Sequence, residues 1–118
     1  MKKVLWVSRH EMTAAQKADL DRVMGGAELV PMRETVRDIA VLRPLLAGVD
    51  AVAAVLPPEL LAELLSIADG KPVLRAVSGR DPTGRILTLQ DGRREPEFAF
   101  IHVCWEQVLR IEICTRRL

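Results

Sequence analysis

The sequence predicts an α/β fold class: a Rossmann-like, mostly parallel sheet with flanking helices and a C-terminal β-hairpin extension. Three observations predict it. Residues 1–80 alternate short apolar strand runs with helical periods, three times in series. Such βα units build parallel sheets through right-handed crossovers. Residues 81–118 instead alternate apolar and polar residues about an Asp-Gly turn, the signature of an antiparallel hairpin. A length of 118 residues then holds both parts in one domain, too short for two domains.

In chain order, KVLWVS (3–8) is a first strand and TAAQKADLDRVMGG (13–26) a first helix ended by paired glycines. AELVPM (27–32) is a second strand, and Pro31 within it argues for a sheet edge. TVRDIAVLRPLLAGV (35–49) carries Ile39, Leu42, Leu45 and Leu46 on one helical face, and Pro44 should kink or split that helix. DAVAAVL (50–56) is nearly all apolar, as a strand covered on both faces requires. PPELLAELLSIADG (57–70) is a third helix, with proline in its first turn and glycine after its end. KPVLRAVS (71–78) is a fourth strand. RILTLQ (85–90) and RREPEFAFIHVCW (93–105) form a hairpin about Asp91-Gly92, and VLRIEICTRR (108–117) alternates as a further strand. The apolar face of this extension needs a partner, its own core or a second subunit, so a homodimer joined through it is expected.

Composition narrows the function classes. Apolar residues make up 49% and charged residues 28%, an ordinary globular balance. A net charge of +1 leaves no global field for long nucleic acid, so an anionic ligand has to be held by local arginines. Cys104 and Cys114 form no CxxC or Cys/His spacing and read as reduced thiols of a cytoplasmic protein. The apolar stretch after Met1 is only a strand's length, so no secretory leader is expected. No run approaches the roughly 20 apolar residues that span a bilayer.

Ligands of open parallel sheets bind beyond the carboxyl ends of the strands. Four stretches meet that rule: Ser8-Arg9-His10, Arg33-Glu34-Thr35, Leu56-Pro57-Pro58 and Ser78-Gly79-Arg80. Helix N-termini are expected after the first three, where free N–H groups favour an anion. GxGxxG and GxxxxGK[ST] are absent, so nothing suits a hydride carrier or a P-loop and no cofactor is expected.

Each candidate also has a plain structural reading. Thr13 and Gln16 have capping-box spacing and can serve the helix start, a ligand, or both. Ser8 can end a strand, and Arg33 can be a solvated charge. His102, among Phe100, Ile101, Val103 and Cys104, reads as structural, whereas His10 sits in the loop over the ligand edge, where an imidazole can move a proton near neutral pH. No HExxH follows His10, so no metal site is expected. No GxSxG elbow activates Ser8. Metal-independent cleavage of an RNA-like diester needs only an aligned 2′-hydroxyl with arginine, histidine and backbone N–H groups around the phosphate.

SRH directly after the first strand, with M-T-x-x-Q opening the first helix, resembles the small CRISPR-associated ring nucleases of type III systems. Ser8, Arg9, His10, Thr13 and Gln16 carry the likeness, Met12 stands where those proteins have leucine, and the likeness covers residues 1 to about 80. The C-terminal hairpin matches none of their motifs.

The resemblance implies a CARF-like homodimer that binds cyclic tetra-adenylate across its two-fold. It implies metal-independent cleavage by 2′-hydroxyl attack, giving linear di-adenylate with a 2′,3′-cyclic phosphate and ending type III antiviral signalling. By the same likeness Arg9 neutralises the scissile phosphate, and His10 protonates the leaving oxygen or orients the 2′-hydroxyl. Ser8, Thr13 and Gln16 would hold backbone or base edges. Arg33, Ser78, Gly79 and Arg80 join by strand-end position alone. With aromatic content at 3%, adenines would rest on aliphatic surfaces such as Leu56 and Pro57. The same residues would also serve a non-catalytic sensor or sponge.

Overall fold

A computed structural model describes all 118 residues. The elements are β1 (Lys2–Val7), α1 (Ala14–Met24), β2 (Ala27–Met32), a 3₁₀ turn (Ile39–Leu42) running into α2 (Arg43–Leu46), β3 (Ala51–Ala54), α3 (Pro58–Ile67), β4 (Val73–Thr88) and β5 (Arg94–Gln107). They form one five-stranded sheet in the order β2-β1-β3-β4-β5. The first four strands are parallel, and β5 pairs antiparallel with β4. Pro31 lies on the edge strand β2, where a missing N–H costs no central ladder bond.

Alternation within β1 decides the layers. Val4 and Trp6 face a core with Leu20 of α1 and Trp105 of β5. Leu5 and Val7 face the other core, with Ile39, Leu42, Leu46, Leu61 and Leu64. The chain steps from β1 outward to β2, then returns past β1 to β3. Right-handed crossovers that reverse direction in this way put their connections on opposite faces of the sheet. β3 is AVAA, buried at every position, because it lies under both layers.

Three elements differ from expectation. Residues 35–49 are split beside Pro44 as expected, but their helical part is shorter, only the 3₁₀ turn and the four-residue α2. Pro44 cannot donate to the carbonyl four residues back and its ring crowds it, so α-helix begins only where Pro44 falls in a first turn. The expected strands 71–78 and 85–90 are one continuous β4. Ser-Gly-Arg-Asp-Pro-Thr-Gly is absorbed as register shifts at Val77/Ser78 and Pro82/Ile86, not as a loop. Finally, 108–117 is not a strand. The chain leaves the sheet after Gln107, Val108 N–H donates to the Val73 carbonyl at 2.8 Å, and Val108 and Ile111 pack on the α3-side core.

The hairpin turn itself is as expected. Gly92 has φ 85°, and its N–H donates to Leu89 O at 3.0 Å while Leu89 N–H donates to Arg93 O at 2.8 Å. That is a three-residue loop with glycine in the left-handed region. No helix is long and apolar enough to cross a membrane.

Candidate ligand site at the switch point of the sheet

Because the chain runs outward from β1 to β2 and then back to β3, the loops after β1 and β3 lead to opposite sides. That leaves a crevice at the carboxyl ends of the strands. A cleft of about 230 Å³ occupies it. Ser8 and Arg9 enter from the end of β1, Glu34 and Thr35 from the end of β2, and Leu56, Pro57 and Leu60 from the end of β3 and the start of α3. The sequence rule therefore brings together three of its four stretches.

The β1 loop is held from both sides. Ser8 is the one polar residue buried with its backbone included; its N–H donates to Met32 O at 3.2 Å and its Oγ accepts from His10 N–H at 3.1 Å. Trp6 Nε1 donates to the His10 carbonyl at 3.0 Å. The backbone of residues 8–10 is thus anchored, and Arg9 and His10 are exposed. Val55 N–H donates to Val7 O at 2.9 Å, continuing the β1–β3 pairing to the cleft floor.

Other expected residues stand elsewhere. His10 is not on the cleft wall. Thr13 and Gln16 complete a reciprocal capping box: Gln16 N–H donates to Thr13 Oγ1 at 3.1 Å, and Thr13 N–H to Gln16 Oε1 at 2.9 Å. Both side-chain oxygens cap the first turn of α1. Arg33 pairs with Glu11 at 3.4 Å and borders a separate hollow of about 290 Å³ with Trp6 and Lys17.

Ser78, Gly79 and Arg80 are no strand end at all, since β4 runs on to Thr88. Ser78 pairs with His102, and the Arg80 guanidinium lies 5.1 Å over the Phe98 ring. A Cβ on Gly79 would stand 3.1 Å from Val103 Cγ2, so this glycine admits a neighbouring side chain, not a ligand. No helix N-terminus follows Arg33-Glu34-Thr35 directly, because residues 35–38 are not helical.

Leu60 is a cleft residue outside the four stretches, and Glu34 and Thr35 line the cleft in a stretch where only Arg33 was expected to bind. The strand-end rule pointed at 33–35, and side-chain type favoured Arg33, but the chain turns its two following residues inward. Beside the cleft lies an apolar hollow of about 360 Å³ sharing Val55 and Leu56, completed by Pro58, Leu61, Ala76 and Ile111, with Arg75 at its side. Arg75 is paired with Glu106 at 3.1 Å. No cluster of three or more His, Cys, Asp or Glu side chains is placed to hold a metal ion. Cys104 and Cys114 are free thiols.

Fold and site together define a class: an α/β protein with a small cleft, carrying one arginine and one glutamate, at the switch point of a mostly parallel sheet. Comparisons with known protein families, curated proteins and solved structures return no match.

Proposed function

We propose that this chain is a Rossmann-like, CARF-like ring nuclease that binds cyclic tetra-adenylate in the switch-point cleft and cleaves it. The observation that carries the reading is the convergence of Ser8, Arg9, Glu34, Thr35 and Pro57 from three strand ends into one cleft. An arginine with hydroxyl and backbone donors suits a phosphodiester, and Glu34 can accept a hydrogen bond from a ribose 2′-hydroxyl. The adjoining apolar hollow suits a base resting on aliphatic side chains. A cleft of about 230 Å³ is below the usual range for even a drug-sized ligand, so a four-nucleotide ring calls for two protomers about a two-fold.

In this mechanism Arg9 neutralises the scissile phosphate while a neighbouring 2′-hydroxyl attacks it. The hydroxyl's proton passes to Glu34 or water, and His10 protonates the 5′-oxygen as the P–O bond breaks. The products are linear di-adenylates with 2′,3′-cyclic phosphates, which ends the signal. A cytoplasmic homodimer fits this role.

The deciding experiment incubates the purified chain with cyclic tetra-adenylate in excess chelator and resolves the products by chromatography. Cleavage is expected, slowed by about 10²-fold or more in His10→Ala; a His10→Ala protein of normal speed overturns the assignment. The exposed position of His10 off the cleft wall favours a second reading, a sensor or sponge that holds the ring intact. Tight binding without product identifies it.

A further inference from the structure

β4 pairs with β3 only through Val73 and Leu74, so nearly all of the long β4 has β5 as its sole partner. Every residue from Arg80 to Pro96 is exposed except Leu89. A two-stranded ribbon of this kind is marginal in water by itself. Its surface is also unusually apolar. Phe100 is 81% exposed and Val103 55%, and Ile86, Leu87, Phe98 and Ile101 are exposed with them. The register puts Phe98 and Phe100 on the face that carries Arg80, Pro82 and His102, and Ile101 on the opposite face beside Gly79.

The whole molecule carries the same imbalance. Its accessible surface is 8497 Å², against about 6,400 Å² for a folded monomer of this mass. Its radius of gyration is 17.3 Å, against about 13.5 Å. The surplus of about 2,100 Å² per chain falls in the range that obligate dimers bury per partner. We propose that the β4–β5 arm is a dimerisation arm whose apolar faces dock on a second copy of this chain.

Charge selects a second copy over other partners. From Arg80 to Glu97 the arm holds four arginines and four acids, with opposite signs adjacent at Arg80-Asp81 and Arg94-Glu95. Such a surface is complementary to itself, and it offers no basic field to nucleic acid or to an anionic membrane. Pro96 removes a backbone donor from the edge strand β5, which discourages open-ended strand addition and leaves the faces to make the contact. The inference rests on area and polarity of the arm, not on the ligand of the cleft.

Sedimentation velocity of the full chain, without nucleotide and at about 50 µM, tests it. The expected result is a species of twice 13.1 kDa, with dimerisation at least about tenfold weaker in Phe98→Ser/Phe100→Ser. A wild-type monomer at that concentration overturns the proposal, as does a double variant that dimerises normally. Should the double variant fail to fold, Phe100→Ser alone and hydrogen exchange of the wild type on dilution decide. Arm amides that lose protection on dilution support the arm, and unchanged protection overturns it. A double variant that stays dimeric and still cleaves the ring removes the arm and leaves the cleft reading standing; a dimer indifferent to nucleotides does the reverse.

Discussion

His102 of β5 donates through Nε2 to Asp19 Oδ2 of α1 at 2.8 Å, joining residues 83 apart in sequence. The imidazole is almost fully buried, packs 5.6 Å from the Trp105 ring, and leaves Nδ1 without a partner. Trp105 Nε1 adds a second tie, donating to Gln16 O at 3.0 Å. These two bonds fasten the root of the arm to the helix that follows Ser8-Arg9-His10. His102 is therefore a structural residue that links the arm to the ligand edge.

The link makes stability acid-sensitive in one direction. The hydrogen bond from His102, and then that from Arg22, hold the Asp19 carboxyl below its ordinary value of 3.8. A carboxylate depressed in the folded state binds protons more weakly there than in the unfolded chain. Its contribution is present above the ordinary value and is lost as pH falls below it. Asp19→Asn should lower Tm at neutral pH and flatten the fall in Tm below about pH 4. Thermal melts across that range check this, and an unchanged acid slope would contradict it.

Thr13 separates capping from ligand contact. Thr13→Ala leaves the Gln16 N–H without its partner and should cost about 1 kcal/mol, read by chemical denaturation. Nucleotide affinity should stay as in the wild type, because neither Thr13 nor Gln16 borders the cleft. A large loss of affinity with little loss of stability would return Thr13 to the ligand set.

Arg9 and Arg33 are expected to part company. Arg9→Ala should weaken cyclic tetra-adenylate binding about 10- to 100-fold, the worth of a charge-assisted hydrogen bond, with Tm unchanged because Arg9 is exposed. Arg33→Ala, which removes only the exposed pair with Glu11, should bind normally. Calorimetric titration of the two variants side by side provides the comparison.

Leu42 is the residue on which the irregular crossover depends. It is wholly buried at the join between the 3₁₀ turn and α2, against the α3-side core. Leu42→Ala should cost about 2–5 kcal/mol. A loss below about 1 kcal/mol, of the order of a surface change, would mean that this segment collapses onto the sheet without needing it.

Local chemistry made much of the fold readable in advance. Apolar runs, the Thr13–Gln16 spacing, Pro31 at an edge and Asp91-Gly92 at a turn are short-range constraints, satisfied by residues a few positions apart. The strand-end rule reached the cleft through Ser8, Arg9, Leu56 and Pro57 for the same reason, since each follows a recognisable strand. It failed at Arg33 because it marks a loop, while the turn of that loop decides which of three neighbours faces inward.

What lay beyond the linear pattern depended on pairing at long range. Whether Ser78-Gly79-Arg80 ends a strand or runs through one is settled by residues 100–102 opposite them, since a ladder with a partner on the far side absorbs a bulge that would otherwise read as a loop. Whether 108–117 becomes a strand is settled by which surface offers burial; Val108 and Ile111 find it on the α3-side core. Periodicity along the chain encodes which residues want burial, and only the assembled sheet supplies the place where each of them finds it.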